Sequence, residues 1–414
     1  MRRLWRQTLS FPPTVRLLMA NQFAINLGFN MLMPYLASHL AGDLGLAAWA
    51  VGLVLGLRHF SQQGMYLLGG TIADRVGYKA PILAGCLLRT VGFGMLGWVE
   101  SLPALILASL ATGFASALFN PAGRAYLAAE AGERRVDAFA VFNVYYQAGM
   151  LLGPVVGLGL LAVDFRLVCA VAAAVFAGLS VLQWRALPAR RGPETGTAPG
   201  GVAAQWREVA ANRPFVLFAV AMAGSSVLAF QTYMALPLVA AETLGTDGPL
   251  VTGGLFVVSS AVAVVGQLRL TAWVKHRWSV RQALVRGLSL IGLAFVPLAL
   301  FPQGTVAARS GCLGVAAVLL ATGSAVVYPF EMDMVVAMAR GRLVATHYGL
   351  YSTVSGLGIT GGNFAVGALW DAARHEEFLV WGMLASLGLA SAAAVAALAR
   401  VGHPAVRPPE TAPV

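Results

Sequence analysis

The chain has 414 residues, of which 58% are hydrophobic and only 11% charged, with a mean hydropathy of +0.74. An ordinary soluble chain carries about 25% charged residues, so the composition excludes a water-soluble globule, a disordered chain and a collagen-like fibre. The net charge is +11, yet its 28 basic side chains lie in short runs between apolar stretches, not on one face with interleaved aromatics, so no nucleic-acid partner is expected.

Residues 1–16, MRRLWRQTLSFPPTVR, contain arginines but no small-residue cleavage site behind a short apolar core, and read as a retained tail. A helix needs about 20 mostly apolar residues to cross a bilayer core of about 30 Å. Twelve segments meet this need, at about 17–39, 48–71, 80–99, 103–126, 138–162, 166–186, 214–240, 250–273, 282–301, 308–332, 346–370 and 378–400. They are too long, and too little alternating, for a β-barrel. The 47 glycines suit helices whose backbones approach closely. Cys86, Cys169 and Cys312 sit singly in apolar runs, without disulfide or metal spacing. No metal and no cofactor are expected.

Between spans six and seven runs the longest polar stretch, with PARRGPETGTAPGG and then WREVAANR. Its Pro, Gly and Arg content marks a linker ending in a short surface helix. The expected organisation is a six-helix bundle over 1–186, a linker over 187–213, a second bundle over 214–400 and a tail over 401–414. An internal repeat supports the division: Pro121 and Pro329, Arg134 and Arg342, and Gly153 and Gly361 are each 208 residues apart, and Pro34 and Pro237 match loosely. The fold class is therefore an all-α membrane protein of twelve transmembrane helices in two pseudo-symmetric bundles, the architecture of secondary transporters. With the N-terminus inside, 23 of the 28 basic residues fall on the cytoplasmic side and only Arg166, Arg309 and Arg374 outside, with Arg58 and Arg89 within spans. Both termini are thus expected in the cytoplasm. Only Lys79 and Lys275 are lysines, and the Arg, Ala and Gly bias points to a GC-rich bacterial genome and an inner-membrane location.

After span two comes GTIADRVGYK. Gly70, Asp74, Arg75, Gly77 and Lys79 match the loop signature G-x-x-x-D-R-x-G-[RK]-[RK] of the major facilitator superfamily, and Tyr78 departs from it. In span five, Gly149, Gly153, Pro154 and Gly157 spell G-x-x-x-G-P-x-x-G, which resembles the helix-bending motif of antiporters in that superfamily, especially its twelve-span bacterial drug:proton antiporters. The same glycines also suit simple tight packing. Span one carries LGFNMLMP, similar to the family's Gly-then-Pro pattern. Two departures matter. Ser109 stands four residues before Gly113, where the family's fourth-span signature has Arg. Span one offers Asn21, Asn26 and Asn30 where many proton-coupled drug exporters carry a carboxylate, so the family's proton path does not transfer.

Charges inside a membrane default to functional candidates. Arg58 and Arg89 each lie roughly 15–18 Å from the cytoplasmic edge at 1.5 Å per residue, near the midplane. Either they bind substrate in a net-positive cavity or they tie helices together. Gln62 shares the face of Arg58, and His59 is a candidate proton carrier because imidazole titrates near neutrality. Asn26, Asn30, Tyr145, Tyr146, Gln147, Gln231, Tyr233 and Tyr351 are either cavity liners or packing residues. Under the 208-residue offset, Met332 corresponds to Arg124. Glu331 and Asp333 are then expected either to latch onto Arg124 when the transporter faces outward, or merely to solvate a helix end; proton coupling by either acid is a third reading, ranked below these two. Asp74, Arg75 and Lys79 join these as gating candidates.

No nucleotide fold, P-loop, HExxH or supported Ser/His/Asp set is present in the sequence, so neither an enzyme nor an ATP-driven pump is expected. The resemblance implies a monomeric exporter of small amphipathic or acidic/zwitterionic molecules, drugs or natural products, working by alternating access in exchange for protons, with membrane lipid as its surroundings. A proton-coupled importer of a polar metabolite is the alternative, and a non-transporting scaffold or receptor a distant third.

Overall fold

The computed structural model describes residues 2–188, 201–244, 248–301, 305–372 and 377–398, and every regular element among them is helical. The Pro/Gly-rich core of the linker and the tail 401–414 lie outside the described residues, as do Arg190, Arg191, Arg374, Arg400 and Arg407 of the charge tally. A short helix, Arg2–Leu9, precedes span one, Pro13–Ser38. Span two is two helices, Ala48–Gly64 and Tyr66–Val76. Spans three to six are Lys79–Trp98, Leu102–Ala131, Arg135–Leu161 and Phe165–Ala186. The linker helix, Val202–Ala211, leads into span seven, Arg213–Phe230 with Ala235–Leu244. Span eight is Gly248–Ala261 and Gln267–Arg277 joined by a π-helical turn, and span nine is Val280–Leu293 with Val296–Leu300. Spans ten to twelve are Val306–Ala339, Val344–Ala372 and Glu377–Leu398.

Eight stretches among the described residues are long and apolar enough on their own to cross a membrane, and one of them, Leu102–Leu161, holds both span four and span five. Spans one, two and eleven complete the twelve. The first two carry polar residues inward, among them Asn21, Gln22, Asn26, Arg58 and Ser61, all buried, and this lowers their hydropathy. Side chains such as Leu107, Val155, Leu158 and Phe364 remain exposed, as lipid-facing apolar residues are.

The helices begin where the sequence provides partners for their first N–H groups. Thr305 caps span ten, Asn212 caps span seven, and Ser279 with Gln282 forms a capping box at span nine. Span two ends at Gly77, whose φ of 90° strains any residue with a Cβ, so the turn into span three requires glycine.

Spans one and five pack backbone to backbone in the first bundle, and span nine packs against spans ten and twelve in the second. Lipid supplies no hydrophobic drive between helices, so close van der Waals fit does the work. A Cβ added at Gly149 would sit 2.5 Å from the Phe23 carbonyl oxygen, at Gly153 2.7 Å from Asn30 Cβ, and at Gly157 2.0 Å from the Met31 carbonyl oxygen. The helix runs unbroken through Pro154, whose carbonyl accepts a hydrogen bond from Tyr35 OH at 2.6 Å. Phe93, Phe119, Phe139 and Phe176 fill the first bundle, and Phe215, Phe295 and Trp381 the second.

Candidate functional site

Between the two bundles lies a cavity of about 260 Å³, lined by Gln63 and Tyr66 of span two, Arg124 of span four, Ser225 of span seven, Tyr328 and Glu331 of span ten, and Tyr351 and Ser352 of span eleven. Arg124 donates to Ser352 Oγ at 3.3 Å, across the bundle boundary. Tyr351 OH donates to Glu331, which is only 7% exposed. Asn120 and Gln62 both donate to Tyr66 OH, at 3.0 and 2.9 Å, which fixes that ring against the cavity. One guanidinium and one carboxyl thus face a wall of phenols and serine hydroxyls. A ligand there meets charge of both signs and an aromatic surface.

On the side of the linker helix the two bundles are bolted together. Asp74, in the loop motif of the first half, accepts hydrogen bonds from Ala345 N at 3.1 Å, Thr346 N at 2.7 Å and Thr346 Oγ1 at 2.7 Å, all at the start of span eleven. These are orphan N–H groups of a helix N-terminus, where the macrodipole favours an anion. Arg135 Nε meets Asp333 Oδ1 at 2.6 Å, and Lys275 Nζ bridges both oxygens of Asp137 at 2.8 Å. Deeper, the buried Asn143 donates to Gln267 Oε1 at 2.8 Å, and Gln267 donates to Thr271 and to the Ala325 carbonyl. The linker helix straps both halves. Its Trp206 donates to Thr71 at 2.8 Å and Gln205 accepts from Arg75 at 3.0 Å on one side; Glu208 pairs with Arg342 at 3.1 Å on the other. Lys79 stays within its own half, donating to the Trp184 carbonyl at 2.8 Å.

Several expected sites lie elsewhere. The latch expected between Arg124 and the acids of span ten takes a different form: Asp333 is held by Arg135, eleven residues further on, and Arg124 turns to Ser352. The 208-residue offset aligns positions in the two halves, but side-chain direction around each helix picks the partner. Arg58 and Arg89 do not line the cavity, whose two charges balance. Arg58 is 5% exposed, bonds Gln62 and His59 at 3.2 and 3.1 Å, and stacks on Phe29. Arg89 is 3% exposed, donates to Ser116 at 2.8 Å and lies over Phe119 and Phe176. Such cation–π contacts and hydroxyl bonds tie helices together. His59 is exposed and bonded to Arg58.

Asn26 and Asn30 donate to carbonyls one turn earlier in their own helix. Gln231 is buried on Val227 and Asn363, Tyr145 meets Thr8 at 3.4 Å, and Gln147 is half-buried. Tyr146 and Tyr233 keep 37% and 47% of their surface free, and Tyr233 OH lies 3.9 Å from Met150 sulfur of the other half. Tyr66, Tyr328, Ser352, Arg135 and Asn143 were not singled out by the sequence. For Tyr66 a signal existed, since it lies one helical turn after Gln62 on the same face. Exchanging the charges tests the bolt: Arg135→Asp and Asp333→Arg singly are expected to lower transport roughly tenfold, and the double variant to recover most of it, a coupling of about 0.5–3 kcal/mol. A double variant no better than either single change counts against the pairing.

Residues 18–363 match the family described as Major Facilitator Superfamily, and the chain belongs to that superfamily of membrane transporters. It is 52% identical, over 91% of each chain, to an uncharacterized MFS-type transporter of Mycobacterium tuberculosis. It is 27% identical, over 90% of each chain, to the multidrug resistance protein MdtH of Shigella dysenteriae. Its fold matches that of the Escherichia coli fucose:proton symporter at a TM-score of 0.72 and 15% identity, over 93% of this chain and 96% of that one. The human organic anion transporter MFSD10 matches at a TM-score of 0.69 and 15% identity, over 93% of this chain and all of that one.

Proposed function

We propose that the protein exports small amphipathic or zwitterionic molecules, drugs or natural products, in exchange for protons, by rocking its two bundles about the cavity. The observation that carries this reading is a cavity holding Arg124 and Glu331 from opposite bundles, roofed on the linker side by Asp74, Arg135–Asp333 and Lys275–Asp137. Breaking that roof opens the cavity to the linker side, which the positive-inside rule assigns to the cytoplasm. The likeness to MdtH proteins favours drug-type cargo. In this reading the chain works as a monomer in the bacterial inner membrane with both termini inside.

The test is a proteoliposome assay with an imposed pH gradient and a panel of anionic, neutral, cationic and zwitterionic amphipathic compounds. Movement of a compound against the proton flow, abolished by a protonophore, is the expected result. Movement with the protons makes the protein a symporter. No movement of any compound in either direction overturns the transport reading of this cavity.

A further inference from the structure

We infer that Glu331 is the exchange group of the cavity, holding in turn a proton and the ammonium group of the cargo, while Arg124 receives the cargo's anionic group, so that the site selects amphoteric aromatic molecules. The inference rests on the transport reading above and deepens it. Glu331 and Arg124 line one cavity yet form no ion pair within 4.0 Å; one is bonded to Tyr351 OH, the other to Ser352 Oγ. Hydroxyls satisfy geometry but neutralise no charge. The two charges attract each other across the cavity without touching, and a ligand bearing both signs brings each of them a partner at contact distance.

Glu331 is also free for this task. The carboxylates around it are engaged elsewhere: Asp74 on the start of span eleven, Asp137 on Lys275, and Asp333, half a turn along the same helix, on Arg135. The titratable and charged groups that line the cavity with Glu331 are Arg124 from span four, Tyr66 from span two, Tyr328 on its own helix and Tyr351 from span eleven; span seven contributes Ser225 and Ser226. The set contains one acid, one fixed cation and three phenols. The phenols provide flat faces for an aromatic body, and Ser355, whose Oγ has no partner among the described residues, provides a further donor.

The step balances. With the cavity open to the linker side, the carboxylic acid gives its proton to water, and the cargo's ammonium takes its place against the carboxylate while the cargo's anionic group seats on Arg124. With the cavity open to the far side, a proton from that side returns to the carboxyl and the ammonium leaves. The carrier then returns with one more positive charge than it carried outward, so each zwitterion exported moves one net positive charge inward.

The experiment uses the full chain in proteoliposomes and three compounds of one scaffold: tryptophan as zwitterion, tryptamine as cation and indole-3-propionate as anion. For the wild type, tryptophan is expected to exchange about tenfold faster than either congener and to be driven by membrane potential as well as by the pH gradient. Glu331→Gln is expected to abolish the acceleration by either gradient and to move the preference to indole-3-propionate. Arg124→Gln is expected to move it to tryptamine. A preference that stays put in both variants, or a Glu331→Gln protein still driven by the pH gradient, overturns the inference. So does a wild type that carries other compounds of the panel but not tryptophan, or that prefers a singly charged congener. A wild type that carries nothing overturns the transport reading instead.

Discussion

Gly70→Val is expected to lower transport about 5- to 150-fold and to leave the protein open on the linker side. A Cβ at residue 70 would stand 2.2 Å from the Ala345 carbonyl oxygen, and one at Gly349 would stand 2.5 Å from the Tyr66 carbonyl oxygen. Span two and span eleven therefore close on each other glycine against backbone, at two levels, and a backbone atom cannot swing aside as a side-chain end can. Overpacking costs about 1–3 kcal/mol, which as a bias between two states is about 5- to 150-fold in population. In the proposed rocking cycle that cost falls only on the closed arrangement, because the two spans belong to different bundles and part when the linker side opens. A Ser225→Cys reporter in the cavity should react faster with a polar thiol reagent applied from the linker side in Gly70→Val than in its parent. Unchanged labelling and unchanged transport together would sink this assignment. Gly349→Val should behave alike, since it blocks the same closure from the other face.

The superfamily loop marks Gly70, Asp74 and Arg75 from sequence alone, but not what they touch. Hydropathy is one-dimensional: it marked the crossings within a few residues, because twenty apolar residues in lipid have helix as their only way to satisfy the backbone. It was silent on the breaks inside spans. Met65 interrupts span two, Gln231–Tyr233 is a 3-10 turn in span seven, and Val262–Gly266 is a π-helical turn in span eight. None of these is announced by a proline at the break. The partners across the boundary were also hidden. Asn143 and Gln267 read as stray polar residues in apolar runs, yet they find each other 124 residues apart because the bundles present them at one depth. Arg58 and Arg89 were legible as buried charges, whereas their aromatic neighbours, Phe29, Phe119 and Phe176, come from three other helices. The functional reading of an intramembrane arginine thus depends on rotation about the helix axis, which spacing constrains only within one helix.

Asp74→Ala should cost transport more than Asp74→Asn, and both should shift the protein the same way as Gly70→Val. Span eleven starts after Leu343, which has a φ of 49°, and its first N–H groups are served by Asp74 from the opposite bundle. The carboxylate is a helix cap supplied in trans. Each hydrogen bond to a charged group contributes about 1.5–3 kcal/mol, and the capping exists only while the linker side is shut. Asn keeps one carbonyl oxygen for Thr346 but turns an NH₂ donor toward the remaining donors, so it should retain part of the closure; Ala retains none. Transport rates are expected to fall roughly tenfold for Asn and about a hundredfold for Ala, with thiol labelling of the cavity rising in the same order. The pair Asp74→Ala and Gly70→Val settles whether the two residues act as one device. Both act on the start of span eleven, so the double variant should be no worse than Gly70→Val alone, since a closure already blocked has no cap left to lose. Full additivity would mean that Asp74 works elsewhere in the cycle, and that the loop motif serves more than this one contact.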